Sequence, residues 1–217
     1  MNILRPDSLV FPNLQTANRE GLLALGGDLS VARLLLAYRS GIFPWTDEPL
    51  TWWSPDPRAI FDINRFQPPD RLRSKLRRHP FEITIDQDFP SVIHACAEPA
   101  ARRESTWISP RFIDAYVELH RQGHAHSVEV WDRSQLVGGI YGVAIRGFFA
   151  GESMFHRATD ASKIALCHLM EHLRERKFEL FDTQVLSPLT ARLGAIEIRR
   201  RDYLDRLASA LCNPTRF

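Results

Sequence analysis

Asp182 and Gln184 stand two apart in the run Leu180-Phe181-Asp182-Thr183-Gln184-Val185, an apolar stretch that reads as a β-strand. Side chains alternate along a strand, so the acid and the amide are expected to project together while Phe181, Thr183 and Val185 point the other way. A second carboxylate, Glu152, lies in another strand-like run, Gly147 to Phe155. Acids and amides inside apolar strands are costly unless paired. Taken singly, each run is better explained by core polar groups that have found partners than by chemistry. A pair of such groups on one face of an apolar strand nevertheless invites a functional explanation.

Around these runs lie blocks with a recognisable order: Gly21-Leu-Leu-Ala-Leu-Gly-Gly-Asp-Leu29, Gly41-Ile-Phe-Pro-Trp45, Trp52-Trp-Ser-Pro-Asp-Pro-Arg58 and Gly123-His-Ala-His-Ser127. They continue with Val137-Gly-Gly-Ile-Tyr-Gly142, Gly151-Glu-Ser-Met-Phe155, Asp182-Thr-Gln-Val-Leu186 and Arg200-Arg-Asp-Tyr203. Together they resemble the leucyl/phenylalanyl-tRNA–protein transferases over nearly the whole chain, from about Phe11 to Tyr203. The resemblance implies a donor, aminoacyl-tRNA carrying Leu, Phe or Met, and an acceptor, a protein with N-terminal Arg or Lys that is thereby marked for degradation. The ester of an aminoacyl-tRNA is already activated, so no ATP, coenzyme or metal is implied.

The resemblance assigns the chemistry to Asp182, Gln184 and Glu152. On physical grounds the Gln184 carbonyl oxygen would accept a hydrogen bond from the attacking amine, and Asp182 would fix and polarise the amide. A carboxamide is too weak a base to keep the proton, so the departing ribose oxygen is its expected destination, with orientation supplying much of the rate. Glu152 would either attract the cationic acceptor or orient the aminoacyl group. The resemblance further implies that Trp45 and Trp107 stack on the donor, and that Ile140, Phe149, Met154 and Leu169 line an apolar pocket for its side chain. Phe149 has the opposite strand parity from Glu152 and Met154; a bulge at Gly151 would reconcile them, and without one Phe149 leaves the site.

Arg71, Arg73, Lys75, Arg77 and Arg78 crowd one segment. Read as a helix, it suits the phosphates of an acceptor stem, although a charge run is also what a solvated face looks like. Arg199, Arg200 and Arg201 form a second basic run with an equally good structural explanation. Over the chain, 28 Lys and Arg balance 26 Asp and Glu, so overall charge does not announce a nucleic-acid binder.

The 217 residues, 44% hydrophobic, suit one or two globular domains. Neither an apolar run of membrane-spanning length nor a basic, then apolar, leader is present, so a membrane is not an expected partner. Cys96, Cys167 and Cys212 have no paired spacing and read as reduced thiols of a cytoplasmic protein. His168 and His172 share a helix face without a third ligand, so no metal is expected.

The elements that must position these residues follow from local signals. Asp28 or Ser30 caps a helix through Leu34, Leu35 and Tyr38 that closes at Gly41. Phe43 to Pro57, crowded with Trp and Pro, reads as an extended connection, and a boundary near Ile60 divides a small N-terminal α/β domain (1–60) from a catalytic domain (61–217). Beyond it come the basic helix, a strand through Phe81, Ile83 and Ile85, and a helix opening at Ser109-Pro110. Three strands, Ser127–Trp131, Leu136–Ile145 and Phe148–Phe155, form an antiparallel meander. A helix capped by Asp160, the Asp182 strand, a short helix at Ser187-Pro188, a strand at Ile196–Ile198 and a last helix complete the chain. The expected class is α+β, the larger domain resembling the N-acetyltransferase superfamily. A coenzyme-A-dependent acetyltransferase is therefore one rival reading. The segment His156-Arg-Ala-Thr-Asp160 lacks the glycines of a pyrophosphate turn, and its acid would repel one. The other rival is an RNA-binding module without catalysis.

Overall fold

The computed structural model describes residues 2–78, 80–98 and 106–217. Among them run eleven strands: β1 (Asn2–Leu4), β2 (Leu22–Gly26), β3 (Phe43–Asp47), β4 (Leu50–Trp53), β5 (Arg58–Phe61), β6 (Glu82–Ile85), β7 (Ala125–Asp132), β8 (Gln135–Ile145), β9 (Phe148–His156), β10 (Leu180–Gln184) and β11 (Ile196–Ile198). Seven helices accompany them: α1 (Val31–Arg39), α2 (Asp70–Leu76), α3 (Phe89–Ala97), α4 (Pro110–Arg121), α5 (Ala161–Glu175), α6 (Pro188–Arg192) and α7 (Arg200–Cys212). The class is α+β.

Two sheets divide the strands. The first four make a small sheet in the order β1-β2-β4-β3, and the other seven a large one in the order β11-β5-β10-β9-β8-β7-β6. The meander β6 to β9 is antiparallel throughout, whereas β10 returns through α5 to pair parallel with β9. Helices α3 and α4 cover one face of the large sheet and α5 the other. This is the meander followed by helix, strand, helix, strand that the sequence led us to expect.

Local chemistry explains most boundaries. The Ser30, Ser109 and Ser187 hydroxyls each accept a backbone N–H from the first turn of the helix they precede. Asp160 departs from its expected role. It holds the cap position of α5 with φ +64° and makes no capping bond. Its carboxylate pairs instead with Lys75 of α2 and with Lys163. Hydrogen bonds from Lys163 and then Lys75 hold that carboxyl below the usual range. A pyrophosphate at this turn would meet two ammonium groups as well as the acid, so repulsion by Asp160 no longer stands alone against one. The Trp- and Pro-rich segment is not a bare connection either: it folds into the hairpin β3–β4. Pro44 is tolerated because β3 is an edge strand.

Candidate functional site

Glu152 owes its position to one surplus residue. Tyr141 of β8 pairs with Ser153 and Gly142 with Gly151, so Glu152 has no partner and forms a bulge in β9. Gly151 permits this: a Cβ there would lie 2.6 Å from the Phe181 ring. The carboxylate turns toward α1 and α4. Tyr38 donates to its Oε1 at 2.9 Å and Tyr116 to its Oε2 at 3.3 Å, and the two hydroxyls are hydrogen-bonded to each other. The Gln184 Nε2 donates to the same Oε1 at 3.0 Å. Burial pushes the Glu152 carboxyl up to about 8; the Tyr38 hydrogen bond opposes this and the Asp182 charge adds to it.

Gln184 rests on a second irregularity. In the pairing with β5, Asp182 faces Ile60 and Gln184 faces Ala59, so Thr183 is passed over. Gln184 takes φ +56°, a left-handed backbone rare outside glycine. The simple alternation expected of Asp182 and Gln184 therefore fails, and the two side chains part. Asp182 turns inward to full burial, where Arg58 binds it through Nε at 2.9 Å and Nη2 at 2.6 Å, and Tyr203 donates at 2.8 Å. Its link to Gln184 is to the backbone N–H, at 2.9 Å, and not to the carboxamide. The Gln184 side chain turns outward to a cavity.

That cavity, about 200 Å³, is walled by Phe43, Pro44 and Trp45 of β3, by Trp107, by Glu152, and by Thr183, Gln184 and Val185. Trp45, Trp107, Glu152 and Gln184 thus converge from four separate stretches. Ile140, Phe149, Met154 and Leu169 do not line it. The bulge leaves Phe149 and Met154 on the α5 side of β9, where they pack with Ile140 and Leu169 in an apolar cluster across the strand from the Glu152 carboxylate. Phe149 is wedged against Phe181, ring centroids 5.3 Å apart. The surplus residue reverses strand parity partway along β9, so it joins Phe149 to Met154 as expected but sets both apart from Glu152.

Among the basic residues, Arg71, Arg73 and Lys75 lie on α2, which is only seven residues long, and Arg77 and Arg78 follow it in a turn. Arg73 pairs with Asp70 and Lys75 with Asp160; Arg71, Arg77 and Arg78 are exposed and have no ion-pair partner among the described residues. Arg200, by contrast, is spent on structure: its guanidinium donates to the Ser54 carbonyl at 2.6 Å.

Four residues of this constellation carried no sequence signal of their own. Tyr38 and Tyr116 read as apolar helix positions. Arg58 and Tyr203 close two of the recognised blocks, yet 145 positions separate them. No group of three or more His, Cys, Asp and Glu that could hold a metal occurs among the described residues.

A family model described as leucyl/phenylalanyl-tRNA protein transferase matches residues 60–208, and the model of that family's N-terminal domain matches residues 27–56. A leucyl/phenylalanyl-tRNA–protein transferase of Syntrophobacter fumaroxidans is 52% identical over 205 residues, covering 93% of this chain and 88% of its own. One of a Shewanella species (strain W3-18-1) is 49% identical over 198 residues, covering 90% and 84%. Among solved structures, a GCN5-related N-acetyltransferase from Kribbella flavida aligns with a TM-score of 0.41 at 11% identity, over 76% of this chain and 59% of its own.

Proposed function

The chain belongs to the leucyl/phenylalanyl-tRNA–protein transferase family and is an aminoacyltransferase; from that premise we propose that it moves Leu, Phe or Met from aminoacyl-tRNA to the α-amino group of proteins beginning with Arg or Lys. The new peptide bond would mark those proteins for degradation in the cytoplasm. The observation that carries the site assignment is the hydrogen bond from Gln184 to Glu152 at the floor of a cavity flanked by Trp45 and Trp107. With its nitrogen committed to Glu152, the carboxamide presents its oxygen to an arriving amine.

The sequence of events follows from that geometry. The indoles of Trp45 and Trp107 offer flat faces to the terminal adenosine, and the exposed Arg71, Arg77 and Arg78 offer charge to the phosphates behind it. Lys75 and Arg73 contribute to the same field from their ion pairs. The acceptor amine, which titrates at about 8, must shed a proton before it can attack. That first proton leaves to solvent. The second is lost as the C–N bond forms: the ionised fraction of Glu152, whose carboxyl burial holds up to about 8, is matched to the amine as its transient acceptor, and the ribose oxygen takes it as the C–O bond breaks. Two protons leave the ammonium nitrogen, one to water and one to the ribose hydroxyl. In the two-domain division proposed at residue 60, Trp45 comes from the small domain and Trp107, Glu152 and Gln184 from the catalytic one.

The test mixes charged leucyl-tRNA with a peptide starting in arginine and weighs the product. Addition of one leucine to the peptide, lost when its first residue is replaced by acetylated arginine, is the expected outcome. No mass change with any of the three charged tRNAs, or acetylation when acetyl-CoA is supplied instead, would overturn the reading.

A further inference from the structure

We infer that Arg58 and Tyr203 are positioning residues for the transfer reaction, and that Asp182 acts with them on the backbone of Gln184 and not on substrate. This rests on the transferase reading above and adds to it a division of labour within the site.

A carboxylate offers about four lone-pair sites. Those of Asp182 are all spoken for. Oδ1 accepts the Arg58 Nε at 2.9 Å and the Gln184 backbone N–H at 2.9 Å; Oδ2 accepts the Arg58 Nη2 at 2.6 Å and the Tyr203 hydroxyl at 2.8 Å. Neither Asp182 nor Arg58 contributes to the cavity wall, and both are fully buried. Nothing remains on Asp182 to touch an amine or to shuttle a proton.

What it does hold is a backbone out of its ordinary range. Gln184 at φ +56° keeps that conformation only if its surroundings fix it. The N–H bond to Asp182 is such a restraint, and Asp182 is itself locked by Arg58. The guanidinium in turn lies between the Phe43 and Tyr203 rings, 4.8 and 4.6 Å from their centroids, and its Nη1 donates to the Gly41 carbonyl at 3.1 Å. Gly41 is needed there: its φ is +74°, and a Cβ would fall 2.7 Å from Leu204 and 3.1 Å from Tyr203. The chain of restraint runs from α7 and the end of α1, through a planar cation, to the one residue whose carboxamide faces the cavity.

Two full-chain variants test this. Tyr203→Phe removes a single donor while keeping the ring, and is expected to lower kcat about tenfold. Arg58→Lys keeps the charge but loses the fork, and is expected to lower kcat about a hundredfold by misplacing Gln184. In both, KM for the arginine peptide, affinity for leucyl-tRNA and the apparent pKa of the rate should stay as in the parent, since substrate contacts are untouched. Adding Asp182→Asn to Arg58→Gln should cost nothing further, because the two act as one unit. In substrate-free protein, Tyr203→Phe should also shift the Gln184 amide resonance and speed its hydrogen exchange. A large extra loss in the double variant, a changed pH profile, or an unmoved Gln184 amide would overturn the inference. If Arg58→Lys fails to fold, Tyr203→Phe and the amide signal decide alone. If the parent protein transfers nothing, the transferase reading falls, while the amide signal still decides the restraint.

Discussion

Glu152 binds its proton more tightly in the folded chain than an exposed carboxyl would, since its folded value of about 8 lies above the ordinary 4.5. The sign of the consequence is fixed. Between those two values the native state carries the extra proton, so unfolding free energy falls as pH rises through that window. Urea titrations at acidic, neutral and alkaline pH should show this decline in the parent and its loss in Glu152→Gln. The same variant should reduce kcat at every pH and remove the group matched to the amine; a pH–rate profile with an unchanged shape would sink the proton-acceptor role. At this scale Glu152, Asp182 and Gln184 were legible, because acids and amides in apolar strands stand out. Tyr38, Tyr116, Arg58 and Tyr203 were not: large rings in helices look like core, and the contacts that give them meaning span 114, 36, 124 and 21 positions.

The elements that carry the site are strands with one residue too many. Most of the elements were readable from periodicity and caps, including the meander, α4 and the short α6. The bulge in β10 was not, since a surplus residue leaves no mark on composition; the one in β9 was expected from the parity of Phe149 and falls beside Gly151, at Glu152. They decide which face each side chain takes, which is why Phe149 and Met154 lie across β9 from the Glu152 carboxylate and Asp182 parts from Gln184. Helix α3 was missed because its apolar run, Phe89–Ala97, is short and begins with Phe-Pro. For α2, the exposed Arg77 and Arg78 lead to a direct expectation. Charge reversal at both should weaken tRNA binding in filter-binding assays and lower the slope of log affinity against log salt by about 0.7–0.9 per lost phosphate contact. Turnover at saturating tRNA should hold. A variant that instead lost turnover with its affinity intact would move the RNA elsewhere on the protein.

One apolar core joins the two sheets. It takes Leu23, Ala24 and Trp52 from the small sheet, Leu34 and Tyr38 from α1, and Val143, Phe148 and Ala150 from the large one. Continuous packing of that kind couples the parts, so the molecule should unfold as a unit despite its two sheets. Leu34→Ala, at a fully buried position, should cost about 2–5 kcal/mol. Because Trp45, Trp52 and Trp53 all sit in the small sheet, tryptophan fluorescence weights that sheet while far-ultraviolet dichroism weights the whole. The two curves should coincide in the parent and move together in the variant; separate midpoints would mean independent units. The division near residue 60 was suggested by composition, but the joint core was not, since hydrophobic residues in sequence do not say which sheet they meet. There is an economy in building the cavity from β3, Trp107, β9 and β10 at once. A ribosome that has released only the first hundred residues has made no pocket, and a chain clipped between its sheets loses one wall. A half-finished copy therefore cannot hold the Gln184–Glu152 pair against the two indoles.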